Sequence, residues 1–229
     1  MTDATPTADG STADADAPAP RRRGPKPRRE RQEEKRKVIM EAARAVFRRL
    51  GYDGASMNDI AQEAGVSKAT LYVYFTSKEG LFAALIDDVR ACLPDGEIPI
   101  DPEADVETAL TAFGRKILKK ITSDENVELL RLVMGASDKF PELGRMFYDA
   151  GPGLGLRMVT GYLENQVARG TLRIDDIETA AHQLLELMQT RFTRMRLFNI
   201  APAPDAAAIE ASVAAGVRVF LAAYGVPRR

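Results

Sequence analysis

Scarcity sets the first limits on this chain. It has one cysteine (Cys92), one histidine (His182) and no tryptophan among 229 residues. A single cysteine forbids an intrachain disulfide, and a reducing compartment fits that usage. Cys92 then reads as a small hydrophobe on a helix. With no His/Cys/Asp cluster at ligand spacing, no metal site is expected, and His182 is assigned to packing or to a polar touch inside a pocket. No apolar run reaches eighteen residues, so no membrane partner or span is expected. The first residues, rich in Ala, Asp, Thr and Pro, contain no apolar stretch of signal-peptide type, so the expected location is cytoplasmic. A P-loop, a dinucleotide glycine fingerprint, a serine elbow and a paired-carboxylate motif are all missing, so neither a cofactor nor an enzyme is expected.

What remains is a core-forming chain, 45% apolar and 28% charged. Its net charge of −1 hides an asymmetry. Residues 21–37 hold ten Lys or Arg against three Glu, and the rest of the chain is acidic. A local cation excess of that kind suits a polyanion partner. Residues 1–20 are of low complexity and expected to be disordered. Residues 21–30 (RRRGPKPRRE) continue as an extended basic arm, because Pro25 and Pro27 oppose a helix. Such an arm either lies along phosphates and minor groove or serves only as a non-specific solubilising tail.

The stretch Ser56 to Phe75, SMNDIAQEAGVSKATLYVYF, organises the N-terminal half of the chain. Ser56 with Asp59 approximates a capping box, and Ile60, Ala61 and Ala64 share one face of a short helix. Gly65 supplies the positive φ that ends it. Ser67 caps a second helix, Lys68 to Phe75, in which Leu71 and Phe75 point inward. Two helices joined by a glycine-containing turn form a helix-turn-helix, whose second helix fits a major groove. A preceding helix is expected over Arg31 to Leu50, its stripe running from Val38 through Phe47 to Leu50, with Gly51 as its end. A following helix is expected to be capped by Thr76 with Glu79, to carry a stripe from Leu81 to Leu93, and to stop at Pro94.

Beyond the loop at 94–104 every pattern is helical. The expected segments are a stripe from Val106 to Ile121, a helix over Asp124 to Ala136 buried nearly all round, and a short helix from Pro141. Gly151-Pro152-Gly153 breaks that one before a segment ending at Gly170. The last two helices are expected over Asp176 to Leu197 and Asp205 to Tyr224. The fold class is therefore all-α, with an N-terminal three-helix helix-turn-helix domain and a larger helical domain. The expected division is 1–30 tail and basic arm, 31–80 helix-turn-helix, and 81–229 a larger helical domain.

Several residues together resemble the TetR/AcrR family of bacterial transcription regulators. They are Ala42, Ala43, Phe47, Gly51 and Tyr52, then Ile60-Ala61 and Ala64-Gly65-Val66-Ser67, then Leu71-Tyr72, Tyr74-Phe75, Ser77-Lys78-Glu79 and Leu81. The match covers about Val38 to Val89. Phe140-Pro141-Glu142-Leu143 with Phe147-Tyr148 resembles the subgroup with an AefR-like C-terminal domain. The resemblance implies a regulator, read as a repressor, that binds double-stranded DNA at a near-palindromic operator as a homodimer and is released by a small apolar or amphipathic effector.

It further implies DNA contacts by Ser56, Asn58, Ser67, Lys68, Ala69, Thr70, Tyr72, Tyr74 and Lys78. Lys68 suits guanine, Asn58 adenine, and Ala69 or the Thr70 methyl a thymine methyl, while the tyrosines and Lys78 suit phosphates. Each has a plainer alternative: Tyr72 packs half-buried, Lys78 and Asn58 are solvated, and Ala69 only allows close approach. An apolar cavity is expected from Phe113, Ile117, Leu130, Met134, Phe147, Met158, Tyr162 and Met188, against the alternative that these are simply core. Dimerisation is expected through Leu184, Met188, Phe192, Met195, Ile209, Val213, Val217 and Phe220, although some of these must serve an intramolecular core. Two other classes stay open: an all-α enzyme with a basic tail, and an architectural DNA-binding protein without an effector.

Overall fold

The computed structural model describes residues 28–91, 100–189 and 191–226. The tail and arm before Arg28, together with Cys92, Leu93 and Pro94, lie outside the described residues.

Helix α1 (Arg28–Gly54) starts earlier than the sequence pattern suggests, so residues 28–30 are helical rather than part of an extended arm. Inside α1, Gly51 has φ +69°, and one further turn reaches Gly54. That break places Tyr52 among Phe47, Phe82 and Phe140, with ring centroids 5.6, 5.4 and 5.0 Å away. Val38 and Leu50, the expected ends of the stripe, are exposed; burial begins at Ile39 and runs through Phe47.

α2 (Met57–Glu63) and α3 (Lys68–Tyr74) come next, joined across Gly65 at φ +63°, a backbone that residues with a Cβ rarely adopt. α4 (Lys78–Ala91) is capped by Ser77 and not by Thr76: the Gly80 amide donates to Ser77 Oγ at 3.1 Å, and Thr76 sits one residue too far upstream.

The remaining helices are α5 (Val106–Ile121), α6 (Asp124–Ala136), α7 (Pro141–Ala150), α8 (Pro152–Ala168), α9 (Ile177–Gln189), α10 (Phe192–Leu197) and α11 (Ala206–Tyr224). The expected single helix over 176–197 is thus two. The break lets α10 turn Arg196 inward, where Nε donates to Thr122 O at 3.0 Å and Nη2 pairs with Asp124. Arg196 is 8% exposed, so a straight continuation that left it unpaired inside would have been costly. Among the described residues there is no strand, only an isolated bridge between Leu172 and Gly225. α11 is long and apolar enough to cross a membrane by length and composition alone, yet Ile209, Val213, Val217 and Phe220 on it are buried against the chain's own helices.

Two cores organise the packing. One joins α1–α4 to Leu129, Val133 and Ala136 of α6 and Leu143 of α7. The other is built from α5, α8, α9 and α11. Packing therefore does not divide at residue 80: all of α4's buried residues, Leu81 through Val89, belong with the head. α6 is not buried all round either. Leu129 and Val133 face the first core, whereas Met134 is 59% exposed.

Candidate nucleic-acid interface

The helix-turn-helix is held by local chemistry. Ser56 Oγ donates to Asp59 Oδ2 at 2.5 Å and accepts from the Asp59 amide at 3.2 Å, while the Ser56 amide donates back to the same carboxylate at 3.0 Å. That closes the expected capping box. The Ser56 hydroxyl and amide hold the Asp59 carboxyl below the usual carboxylate range. Ser67 Oγ accepts the Thr70 amide at 3.1 Å and lies 2.8 Å from Thr70 Oγ1. Both serines are exposed, and both hydroxyls serve as caps.

Leu71 and Phe75 are buried and anchor α3 to the head. Asn58, Lys68 and Ala69 are exposed, Thr70 partly so, and Tyr72 is 41% exposed. Tyr74 is half-buried against the head core, so only part of it reaches outward. A residue outside the expected set, Val73, is the most open large apolar side chain of the helix at 82% exposed. Its signal was available: it stands two positions from both Leu71 and Phe75, on the opposite side of the helix.

Lys78, expected to suit a phosphate, is not the freely solvated charge of the plainer alternative. Its Nζ donates to Tyr52 O at 2.7 Å and Ala55 O at 3.0 Å, and stands 4.4 Å from the Tyr52 ring centroid. Two of its three N–H donors thus tie α4 to the end of α1. Tyr52 Oη donates to Glu79 at 3.2 Å, and burial, with Glu79 beside it, pushes the phenol far above its ordinary value.

A partly open cavity of about 360 Å³ lies between α4 and the helices of the larger domain. Phe113, Ile117, Leu130, Phe147, Met158 and Met188 line it as expected. Met134 does not; it lies on the solvent side of α6. Tyr162 borders a separate shallow groove with Ile100 and Pro102, and its buried hydroxyl has no hydrogen-bond partner among the described residues. Burial pushes that phenol up to about 12. Sequence reasoning missed two walls: Ile86 and Val89 of α4, and the segment Leu154 to Leu156 of α8. Its polar groups are Lys120, Asn126, Tyr148, His182, Glu186, Gln189 and Thr193. Gln189 bridges two of them, donating to Glu186 at 2.7 Å and accepting from Thr193 Oγ1 at 2.8 Å.

The apolar stripes assigned to dimerisation are this chain's own core. Leu184, Met188, Ile209, Val213, Val217 and Phe220 are buried within it, and Phe192 and Met195 are half-buried. α9 and α11 close on each other because Gly216 has no side chain: a Cβ there would stand 2.8 Å from Leu187 O. The open face of α11 carries Val219, Ala222 and Ala223 instead, beside Leu187 of α9, which is half-buried against the same core. Among the described residues no His/Cys/Asp/Glu group could hold a metal ion.

Comparison with known proteins agrees with this architecture. Residues 39–85 match the family model described as bacterial regulatory proteins, tetR family, and residues 108–226 match the AefR-like transcriptional repressor, C-terminal domain. The structure of the Flavonoid-responsive Regulator FrrA is 35% identical, with TM-score 0.71, covering 86% of this chain and 100% of that one. A TetR-family regulator of Mesorhizobium loti is 30% identical, with TM-score 0.65, covering 86% and 99%. The HTH-type transcriptional regulator RutR of Escherichia coli is 42% identical over 113 residues, 49% of this chain and 46% of that protein. The chain spans between about a fifth and a half of the length of the curated relatives it matches.

Proposed function

Since the chain belongs to the TetR family of bacterial transcriptional regulators, with an AefR-like C-terminal domain, we propose that it represses transcription by binding operator DNA as a homodimer in the cytoplasm, and that a small apolar or amphipathic molecule releases it. The observation that carries this reading is the geometry of α3. Leu71 and Phe75 pin the helix from below, Ser67 caps it, and Asn58, Lys68, Ala69 and Tyr72 stand open beside one another. A rigid, capped, outward helix is what a major groove admits.

Charge supports the same partner. Residues 28–37 of α1 carry six basic and three acidic side chains, all exposed. Arg36 stands 5.5 Å from the Phe75 ring centroid, which brings this cationic stretch beside α3. Phosphate contacts from such a stretch give affinity without sequence preference. Pairing of two chains is assigned to the outer surface of α9 and α11, through exposed Val219, Ala222 and Ala223. Small residues there permit close helix approach, and twofold symmetry would set two α3 helices at neighbouring half-sites.

The effector reading rests on which elements wall the cavity. Ile86 and Val89 come from α4, which also carries Lys78 and the cap at Ser77. A ligand seated against Ile86 and Val89 would push on the helix that holds the head. Coupling of about 1–3 kcal/mol between the sites is the usual scale for such a switch. The name of the relative FrrA assigns flavonoid response to that protein. For this chain an apolar aromatic effector is proposed, because the walls are mainly Phe, Ile, Leu and Met with a short polar strip at Glu186 and Gln189.

Selection of duplexes from a random library at low ionic strength, read by fluorescence anisotropy, tests the DNA reading; enrichment of no sequence would refute it. Titrating aromatic hydroxyl compounds against a selected duplex tests the switch. A compound that raises the melting temperature without weakening the DNA complex would refute the coupling.

A further inference from the structure

The outer surface of α3 has a chemistry that limits which bases it can recognise. Residues four apart on an α-helix lie one above the other. Leu71 and Phe75 are such a pair and face the core. Ala69 and Val73 are also four apart, two positions from the inward pair, on the opposite side of the helix. Both are exposed, Val73 the more conspicuously at 82%. The midline of the outward face is therefore hydrocarbon, with neither donor nor acceptor on its side chains.

Polar groups sit at the flanks. Thr70 is beside the midline, and its Oγ1 is tied 2.8 Å from Ser67 Oγ within the cap, so its methyl adds to the hydrocarbon beside Ala69 and Val73. Lys68 and Tyr72 provide the side-chain donors, both on the other flank. A hydrocarbon midline pressed on base edges would strip water from their donors and acceptors without replacing it. The major groove carries one apolar group of its own, the thymine C5-methyl, and it is the group such a midline can meet without that loss. The cationic start of α1 beside α3 supplies the charge complementarity that makes a duplex the occupant of this face.

We propose that Val73, with Ala69, is a specificity-determining pair that reads thymine C5-methyl groups at the centre of each half-site, while Lys68 reads an adjacent guanine at the edge. This rests on the DNA-binding function proposed above and adds to it the class of base that is read and the residue that reads it. Val73 touches the base directly; Leu71 and Phe75 only position it.

The test uses the full-length protein and duplexes enriched from a random library. Deoxyuridine replaces thymidine one position at a time, which removes the methyl and keeps the hydrogen-bonding edges. At the central half-site thymines each replacement is expected to weaken binding about fourfold, the factor for one methylene-sized group returned to water. Thymines outside the half-sites should show no change. In Val73→Ala, whose melting temperature should match that of the unaltered protein because the side chain is exposed, the deoxyuridine penalty should vanish at the thymine that Val73 meets and persist only at a thymine read by Ala69. Tyr72→Phe should keep the full deoxyuridine penalty. A flat deoxyuridine profile on an enriched duplex overturns this proposal and leaves the DNA-binding reading standing, as does a full penalty in Val73→Ala or half-sites without thymine. Enrichment of no duplex overturns both.

Discussion

The ammonium of Lys78 stands 2.7 Å from the carbonyl oxygen of Tyr52 and 4.4 Å from the centre of its ring. One side chain therefore ties the last turn of α1 and the residue after it, through Tyr52 O and Ala55 O, to α4. Lys78→Met keeps the stem and removes the charge. It should lower the stability of the protein by about 2 kcal/mol, the scale of charge-assisted hydrogen bonds to a partly buried donor. Denaturant unfolding checks this. An unchanged midpoint with weakened binding to all DNA sequences would return Lys78 to a pure phosphate-contact role.

The capping box at Ser56 makes a second prediction. Ser56→Ala should cost about 1 kcal/mol, as loss of an N-cap hydroxyl commonly does. The variant should also change the acid limb of stability. Asp59 has a folded pKa below its usual 3.8, so the unfolded chain binds protons more readily than the folded one in that range. Its contribution is present above pH 3.8 and is lost as pH falls through the depressed value. Glu79, held low by its own backbone amide and by the Ser77 hydroxyl, acts with the same sign. Unfolding midpoints measured between pH 6 and pH 2 (an experimental range of about four units) should fall less steeply in Ser56→Ala than in the unaltered chain.

Local signals were legible in the sequence and non-local ones were not. Ser56 with Asp59, Ser67 at the start of α3, Gly65 at positive φ and the inward pair Leu71 and Phe75 all act within a few residues, so spacing alone exposes them. Lys78 depends on Tyr52 and Ala55 arriving from another helix, which no spacing rule encodes. The stripes on α9 and α11 were legible as buried, but a stripe does not say whose interior it enters. They enter this chain's own core, because Gly114 and Gly216 let α5, α9 and α11 close on one another. The cavity was half legible for the same reason: Phe113 and Met188 face it, whereas Met134 shares their chemistry and faces solvent.

Gly216→Ala should be destabilising despite the better helix propensity of alanine. The added Cβ would stand 2.8 Å from Leu187 O and 3.0 Å from Met188 N, backbone atoms that cannot rotate away. A loss of about 1–3 kcal/mol is expected from such overpacking. Thermal unfolding measures it, and a gain in stability would show that α9 and α11 separate more readily than their packing suggests.

Gly155→Leu should do the opposite. Gly155 lies within α8 on the cavity wall, and a Cβ there meets nothing within 4 Å. Removing a helical glycine gains up to ~1 kcal/mol in propensity, and the new side chain occupies the space proposed for the effector. The variant should be at least as stable as the parent, bind DNA unaltered and cease to respond to effector. Retained response would place the effector elsewhere.

The bond between Ser67 and Thr70 bears on how quickly this surface can recognise anything. Both side chains are already locked to each other and to the first turn of α3, so their rotamers are chosen when the chain folds, long before an encounter. Little side-chain entropy remains to be surrendered on contact, a saving of up to about 1 kcal/mol for each residue that need not be immobilised. At these two residues encounters are then sorted by fit: a poor match at the first touch cannot be improved by rearranging them, and such a duplex is let go sooner.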